Sequence, residues 1–296
     1  MRPTPTFCRS GAKSGRFGRA ARRGASRPRV CTQHRFGKLF PANRRRRLLG
    51  ASQSGARWRS RFRTVPGRRA VIWNLRPDRG PMRRTAVVDL PAAGLMHDFA
   101  VVAQSCPHPA SDAAKRPAGQ SLVDRYDWKA DQPLRIVVLD KSDLTIRKVY
   151  EFPARFLFHI GNAWEDEAGA IRVDAFVDKD ATFAVRTARE LPLGVAMSTP
   201  TARLTQFSIY PDGRTNMAVL PGKGEFPRIN PLRIGARHRF TYGVINRGIA
   251  RWDLDAGKRT ISCSAKSTGG GTRLHAGPDA TVEDDGWIVA TALNTE

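Results

Sequence analysis

Two histidines stand among apolar neighbours. His97 lies in Leu95-Met96-His97-Asp98-Phe99-Ala100, and His159 in Phe156-Leu157-Phe158-His159-Ile160-Gly161-Asn162-Ala163-Trp164-Glu165. A neutral imidazole taken out of water needs a partner for each ring nitrogen. A metal ion on one nitrogen and a carboxylate or carbonyl on the other meets that need. A core histidine bonded to backbone meets it equally well, and both readings stand at this point. Glu225, in Gly224-Glu225-Phe226-Pro227-Arg228-Ile229, is either an exposed loop acid or a buried acceptor for a ligand histidine. Neither His97 nor His159 has a second histidine four positions on, so this is not a helix-borne H-E-x-x-H zinc site. There is no G-x-S-x-G, Walker or G-x-G-x-x-G motif. His34, His108, His238 and His275 sit in polar or Gly-, Pro- and Arg-rich surroundings and read as exposed loop residues. The four cysteines form no CxxC pair, which argues against a zinc finger and a dense disulfide framework and for a reducing compartment.

The elements that must carry these residues read as short strands. Leu134–Leu139 is a β-branched apolar run, and residues 144–150 resume as a strand. Residues 170–176 nearly alternate apolar with polar, as a half-buried strand requires. Phe207-Ser208-Ile209-Tyr210 runs through Pro211-Asp212-Gly213 into Met217-Ala218-Val219-Leu220, a hairpin signal because Asp-Gly supplies a tight turn. Residues 249–254 and 260–261, joined by Asp255-Ala256-Gly257-Lys258, form another, and Asp285-Gly286 precedes a strand at 287–290. No segment shows a sustained helical stripe. Repeated strands with frequent turns predict an all-β fold.

Charge divides the chain. Residues 1–84 hold 25 Lys and Arg against one acid, Asp78, whereas residues 85–296 hold 26 basic and 25 acidic residues. The basic segment is expected to be disordered, because like charges repel and its apolar residues show no period that would build a core. Its composition fits three origins. It could be a nucleic-acid-binding arm centred on Arg44–Arg47, an organelle transit peptide, or the product of a GC-rich gene read out of frame. No run of about 18 apolar residues predicts a membrane-spanning helix.

The residues of the second segment resemble a known family. Met96-His97-Asp98-Phe99-Ala100, then Phe158-His159 with Asn162-Ala163-Trp164-Glu165, then Glu225-Phe226-Pro227-Arg228-Ile229 occur in the order and at about the separations seen in carotenoid cleavage oxygenases. Arg203-Leu204-Thr205, Phe240-Thr241-Tyr242 and Glu283-Asp284-Asp285-Gly286-Trp287 fit the same pattern. The resemblance implies a seven-bladed β-propeller with a non-haem Fe(II) on its axis. That iron would be held by four histidines and would activate O2 to cleave a C=C bond of a carotenoid, apocarotenoid or stilbene, with both oxygen atoms incorporated. By the same resemblance His97 and His159 are two of the iron ligands, and Glu225 is a carboxylate that fixes a ligand ring. Phe156, Phe158 and Trp164 fit either core packing or the lining of an apolar tunnel.

The family pattern also has histidines that this sequence does not match. One stands in a His-Pro motif several tens of residues before His97, where this chain is Arg-rich. Another, in a His-Gly pair, falls past Glu296. A Glu-Pro strand is likewise replaced by Gly271-Thr272-Arg273-Leu274-His275-Ala276-Gly277. At roughly 40–50 residues per blade, residues 85–296 suffice for four or five blades. The expectation is therefore an incomplete carotenoid-oxygenase propeller (85–296) after a disordered basic arm (1–84). Its expected partners are an apolar polyene or stilbene and O2, with peripheral membrane contact and no specific nucleic acid. The expected location is the cytoplasm, or an organelle if the arm is a transit peptide. The alternative to the enzyme is a non-catalytic remnant or an artefact of gene assembly, and behind that a basic nucleic-acid-binding protein.

Overall fold

The computed structural model describes Asp98, Ala100 and residues 128–140, 145–190, 193, 199–246, 248–264, 269–276 and 281–292, with the backbone of strands at 4–10, 52–55, 58–65, 69–75, 84–89 and 104–106. The strands in chain order are β1 (Thr4–Ser10), β2 (Ser52–Gly55), β3 (Trp58–Val65), β4 (Arg69–Leu75), β5 (Arg84–Asp89), β6 (Gln104–Cys106), β7 (Leu134–Leu139), β8 (Ile146–Phe152), β9 (Phe156–Glu165) and β10 (Ile171–Asp178). After a helix, α1 (Thr182–Glu190), come β11 (Arg203–Ile209), β12 (Thr215–Lys223), β13 (Glu225–Arg228), β14 (Phe240–Ile245), β15 (Gly248–Asp253), β16 (Lys258–Ser264), β17 (Gly269–Ala276) and β18 (Gly286–Ala292).

These strands form antiparallel sheets of three or four, each largely a meander of consecutive strands: β2 to β5, β6 to β8, β9 to β12 and β13 to β16. In the remaining sheet β18 pairs with β17 on one side and with β1 on the other, from Thr4 opposite Ala292 to Ser10 opposite Gly286. Successive sheets pack face to face. Leu134, Ile136 and Val138 of β7 meet Leu157, Ile160, Val173, Ala175 and Phe207 of the next sheet. Phe176, Leu204 and Leu220 of that sheet meet Ala250 and Trp252 of the one after. Phe240, Tyr242 and Ile249 then meet Leu274 and Ile288. Each fully buried side chain of this size contributes roughly 1.5–3 kcal/mol. Meanders of three or four strands, stacked in succession from β6–β8 through β9–β12 and β13–β16 to β17–β18, are the construction of a propeller.

Two features differ from the sequence reading. α1 was not expected: its sequence TFAVRTARE has few apolar positions, and only Phe183 and Ala184 are buried. Asp180 helps to start it by accepting the Thr182 N–H at 2.9 Å. β1 to β4 fall within the segment expected to be disordered. In β3 and β4, paired from Arg59 opposite Leu75 to Val65 opposite Arg69, the sequence Trp58-Arg59-Ser60-Arg61-Phe62-Arg63 does alternate with period two, and the Arg-rich composition obscured it. Residues 11–50 lie outside the described residues.

A polar latch ties the last sheet to its neighbour. The Glu283 carboxylate accepts the backbone N–H groups of Arg239 and Phe240 at 2.8–3.0 Å. Its carbonyl accepts from the Asn230 side chain at 2.9 Å, and Asp284 pairs with Arg251. Glu283→Ala leaves two strand-end donors without this acceptor and is expected to lower stability by about 1–3 kcal/mol. The shift in the urea unfolding midpoint at unchanged slope measures it.

Candidate metal centre

His159 sits in the middle of β9, and the β9–β10 ladder is irregular on both sides of it. Asn162 faces Asp174 and Ile160 faces Ala175, which leaves Gly161 over; Leu157 then faces Val177, which sets Phe158 and His159 together against Phe176. Such bulges bend a strand and redirect its side chains. Gly161 is required here because a Cβ on it would lie 2.2 Å from Asp174 Oδ2.

Glu225 opens β13, on the neighbouring sheet. Two glycines let that strand come close. A Cβ on Gly224 would lie 2.8 Å from the Trp252 ring, and one on Gly243 would lie 2.6 Å from the Phe176 ring and 3.2 Å from the Glu225 carbonyl. Phe176 and Trp252 are themselves packed edge to face at 5.2 Å, and the Trp252 indole donates to the Pro221 carbonyl at 2.8 Å. The aromatic pair thus acts as a spacer that fixes how near β13 stands to β9 and β10.

The result is a contact across the sheets. His159 Nδ1 lies 3.4 Å from Glu225 Oε2, with the two side chains 18% and 8% exposed. The Phe226 ring lies 4.8 Å from the imidazole, and the Phe226 N–H donates to the same Oε2. Close by, the buried Asp98 carboxylate accepts the Ile160 N–H at 3.0 Å. Asp98 follows His97 in the chain, and Ile160 follows His159. His97 itself lies outside the described residues, as do His34 and His108. A proton on His159 Nδ1 would point toward the carboxylate.

Asp178, at the end of β10, belongs to the same electrostatic neighbourhood. Burial pushes its carboxyl up from 3.8 to about 6, and the charges of Glu225 and Asp180 add to that, while a hydrogen bond with Thr201 and the charge of Lys223 oppose it.

The structure corrects the reading of His238 as an exposed loop residue. It is fully buried, with Nδ1 at 3.1 Å from the Asn162 amide and Nε2 at 3.1 Å from Thr241 Oγ1. Thr241 in turn donates to Asp174 Oδ2 at 3.1 Å. Asn162 also donates toward the carbonyls of Arg233 and Ala236, and its oxygen accepts the Gly235 N–H. These groups make a buried polar brace that clamps the 233–238 loop onto β9, three residues from His159. The missed signal was local: Arg237 and Arg239 are exposed on either side of a buried His238, the alternation of a strand entry. The structure places Trp164 and Phe156 in packing roles. Trp164 is buried edge-on against the His238 ring, and Phe156 packs on Ala181, Ala184 and Phe158.

An imidazole backed by a carboxylate suits a borderline divalent ion such as Fe(II). Among the described residues no group of three or more His, Cys, Asp and Glu side chains could hold a metal. They supply one oriented imidazole and, through Asp98, an anchor for the segment that carries His97. Of the two histidines that the resemblance makes iron ligands, His159 lies among the described residues and His97 does not.

Comparison with known proteins gives the family and the fold. The model of the retinal pigment epithelial membrane protein family matches residues 60–296. The chain belongs to this family, that of the carotenoid cleavage oxygenases. The match begins ahead of residue 85, the boundary read from charge. The chain is 24% identical over 220 residues to carotenoid 9,10(9',10')-cleavage dioxygenase 1 of Arabidopsis thaliana, covering 66% of this chain and 40% of that protein. It is 26% identical over 206 residues to carotenoid 9,10(9',10')-cleavage dioxygenase of Crocus sativus, covering 64% and 37%. The match thus spans about two-fifths of these curated relatives. Cobalt-substituted Synechocystis apocarotenoid oxygenase has the same fold, with a TM-score of 0.62 at 20% identity, over 79% of this chain and 51% of that one. A chimera of that oxygenase with RPE65 aligns with a TM-score of 0.61 at 21% identity, over the same shares. The propeller expected from the sequence is therefore the fold of this carotenoid oxygenase chain.

Two outcomes test the site. Gly161→Ala forces the Asp174 carboxylate or the bulge to move and is expected to cost about 1–3 kcal/mol, read by chemical denaturation. Asp178 has a folded-state pKa above its unfolded value, so the folded state binds the proton more tightly between pH 4 and 6. Its contribution to stability is greatest at the acid end of that window and falls as pH rises through about 6. Asp178→Asn is expected to flatten the decline in unfolding free energy across that window.

Proposed function

We propose that this chain is the metal-bearing part of an Fe(II)-dependent dioxygenase that cleaves a C=C bond of an apolar polyene, of the carotenoid, apocarotenoid or stilbene class. The observation that carries this reading is the Glu225–His159 contact, with Asp98 bonded beside it. The members of three separated sequence motifs meet at one place, in the manner that a ligand histidine and its carboxylate require. His159, through Nε2, and His97 would hold the iron. Glu225 would keep the His159 ring in one tautomer and raise its basicity. Bound there, iron would supply the activation of O2 that an organic side chain cannot.

The chain's own residues do the rest. The bulge at Gly161 aims the imidazole, and the Phe176–Trp252 spacer sets the height of Glu225. Phe158 and Phe226, beside the imidazole, provide apolar surface suited to a hydrocarbon chain. The names of the relatives, carotenoid 9,10(9',10')-cleavage dioxygenases, support the polyene class of substrate.

A second reading, a non-catalytic remnant, is favoured by the Arg-rich sequence standing where the resemblance expects a His-Pro ligand motif. Purified protein supplied with Fe(II), O2 and an apocarotenoid or stilbene decides between them. Aldehyde products carrying label from 18O2 support the enzyme; metal binding without product supports the remnant. In a Co(II) titration followed by visible absorption, His159→Ala is expected to abolish the site. Glu225→Gln is expected to weaken affinity about 10- to 100-fold.

A further inference from the structure

Phe226 has a backbone that its sequence argues against. Its φ is +56°, and among the described residues it is alone among non-glycines in having a positive φ. A residue with a Cβ rarely occupies this region. The following residue is Pro227, which presses its predecessor toward ordinary extended backbone. Such a conformation persists only where its surroundings hold it, and here those surroundings are the candidate site. The Phe226 N–H donates to Glu225 Oε2, the oxygen that faces His159 Nδ1. The Phe226 ring lies over the imidazole at 4.8 Å with the planes inclined by 41°.

We propose that Phe226 is a positioning residue for the His159–Glu225 pair: its N–H fixes the rotamer of the carboxylate, and its ring stops the imidazole from turning over. The left-handed backbone makes both contacts available from one residue, because φ sets the direction in which Cβ leaves the chain while the N–H stays on the carboxylate. The consequence is a single tautomer of His159, protonated at Nδ1 toward Glu225. This goes one step beyond the reading of His159 as a metal ligand and rests on it for its functional meaning.

The test uses metal-free full chain with 15N-labelled histidine. Long-range 1H–15N spectra at fixed pH report which ring nitrogen of His159 is protonated, with the signal assigned by its loss in His159→Gln. Phe226→Tyr keeps the ring and is expected to keep the wild-type spectrum. Phe226→Gly accepts the positive φ without strain and should fold, but it lacks the ring. The Nδ1-protonated share is expected to fall at least threefold, with both tautomers visible. Phe226→Val opposes the backbone as well and is expected to show the same loss wherever it folds. Wild-type spectra in the folded Gly variant, and in any folded Val variant, overturn the proposal. Wild-type protein that fails to bind Co(II) would instead remove the metal reading while leaving the tautomer result standing, so the two failures are distinguishable.

Discussion

A single carboxylate–imidazole contact joins two sheets whose partners lie 66 residues apart in the chain, and most of the surrounding structure is arranged around that distance. Glu225 reaches His159 only because β13 stands close to β9. β13 stands close because Gly224 and Gly243 give the Phe176 and Trp252 rings room against its backbone. Side chains at either glycine would drive the sheets apart by the thickness of a methyl group. Close-packed interiors pass such displacements on rather than absorb them.

The other half of the contact is set within one sheet. Asp174 is wholly buried, an expensive place for a carboxylate unless hydrogen bonds or a partner charge attend it. Thr241 donates to one of its oxygens, and His238 lies 3.4 Å from the other. The carboxylate also occupies the space that a side chain at Gly161 would need. The polar brace and the strand bulge are therefore one device. Asp98 anchors β9 at Ile160 and the brace anchors it at Asn162, one and three residues past His159. The imidazole is thus held through its strand on that side and packed against Phe226.

The parts of this site that are chemically conspicuous were legible in the sequence. His159 and Glu225 announced themselves as ionisable residues in apolar company, and the strand and hairpin signals at 134–139, 170–176, 207–220 and 249–261 became β7, β10, β11–β12 and β15–β16. What stayed hidden was relational. His238 looked exposed because Arg237 and Arg239 flank it, although that alternation is what a strand entry produces. Nothing in the sequence marked Gly161 as a bulge, since the reason lies in Asp174 on the next strand. Pro227 argued for extended backbone at Phe226, and the opposite conformation is imposed by contacts with Glu225 and His159. The Arg content of β3 concealed its period-two pattern, and α1 was too short to show a stripe. Local pattern identifies elements; close approaches between elements decide the geometry of the site.

On the proposed function, the histidines of two separated motifs, at positions 97 and 159, would hold one metal ion. Crystals of the cobalt-loaded protein, measured at the cobalt absorption edge, test it most directly. The expected result is an anomalous peak within bonding distance of Nε2 of His159 and of a ring nitrogen of His97, with Glu225 behind the His159 ring. A peak bonded to His159 alone, or one elsewhere on the molecule, would contradict it.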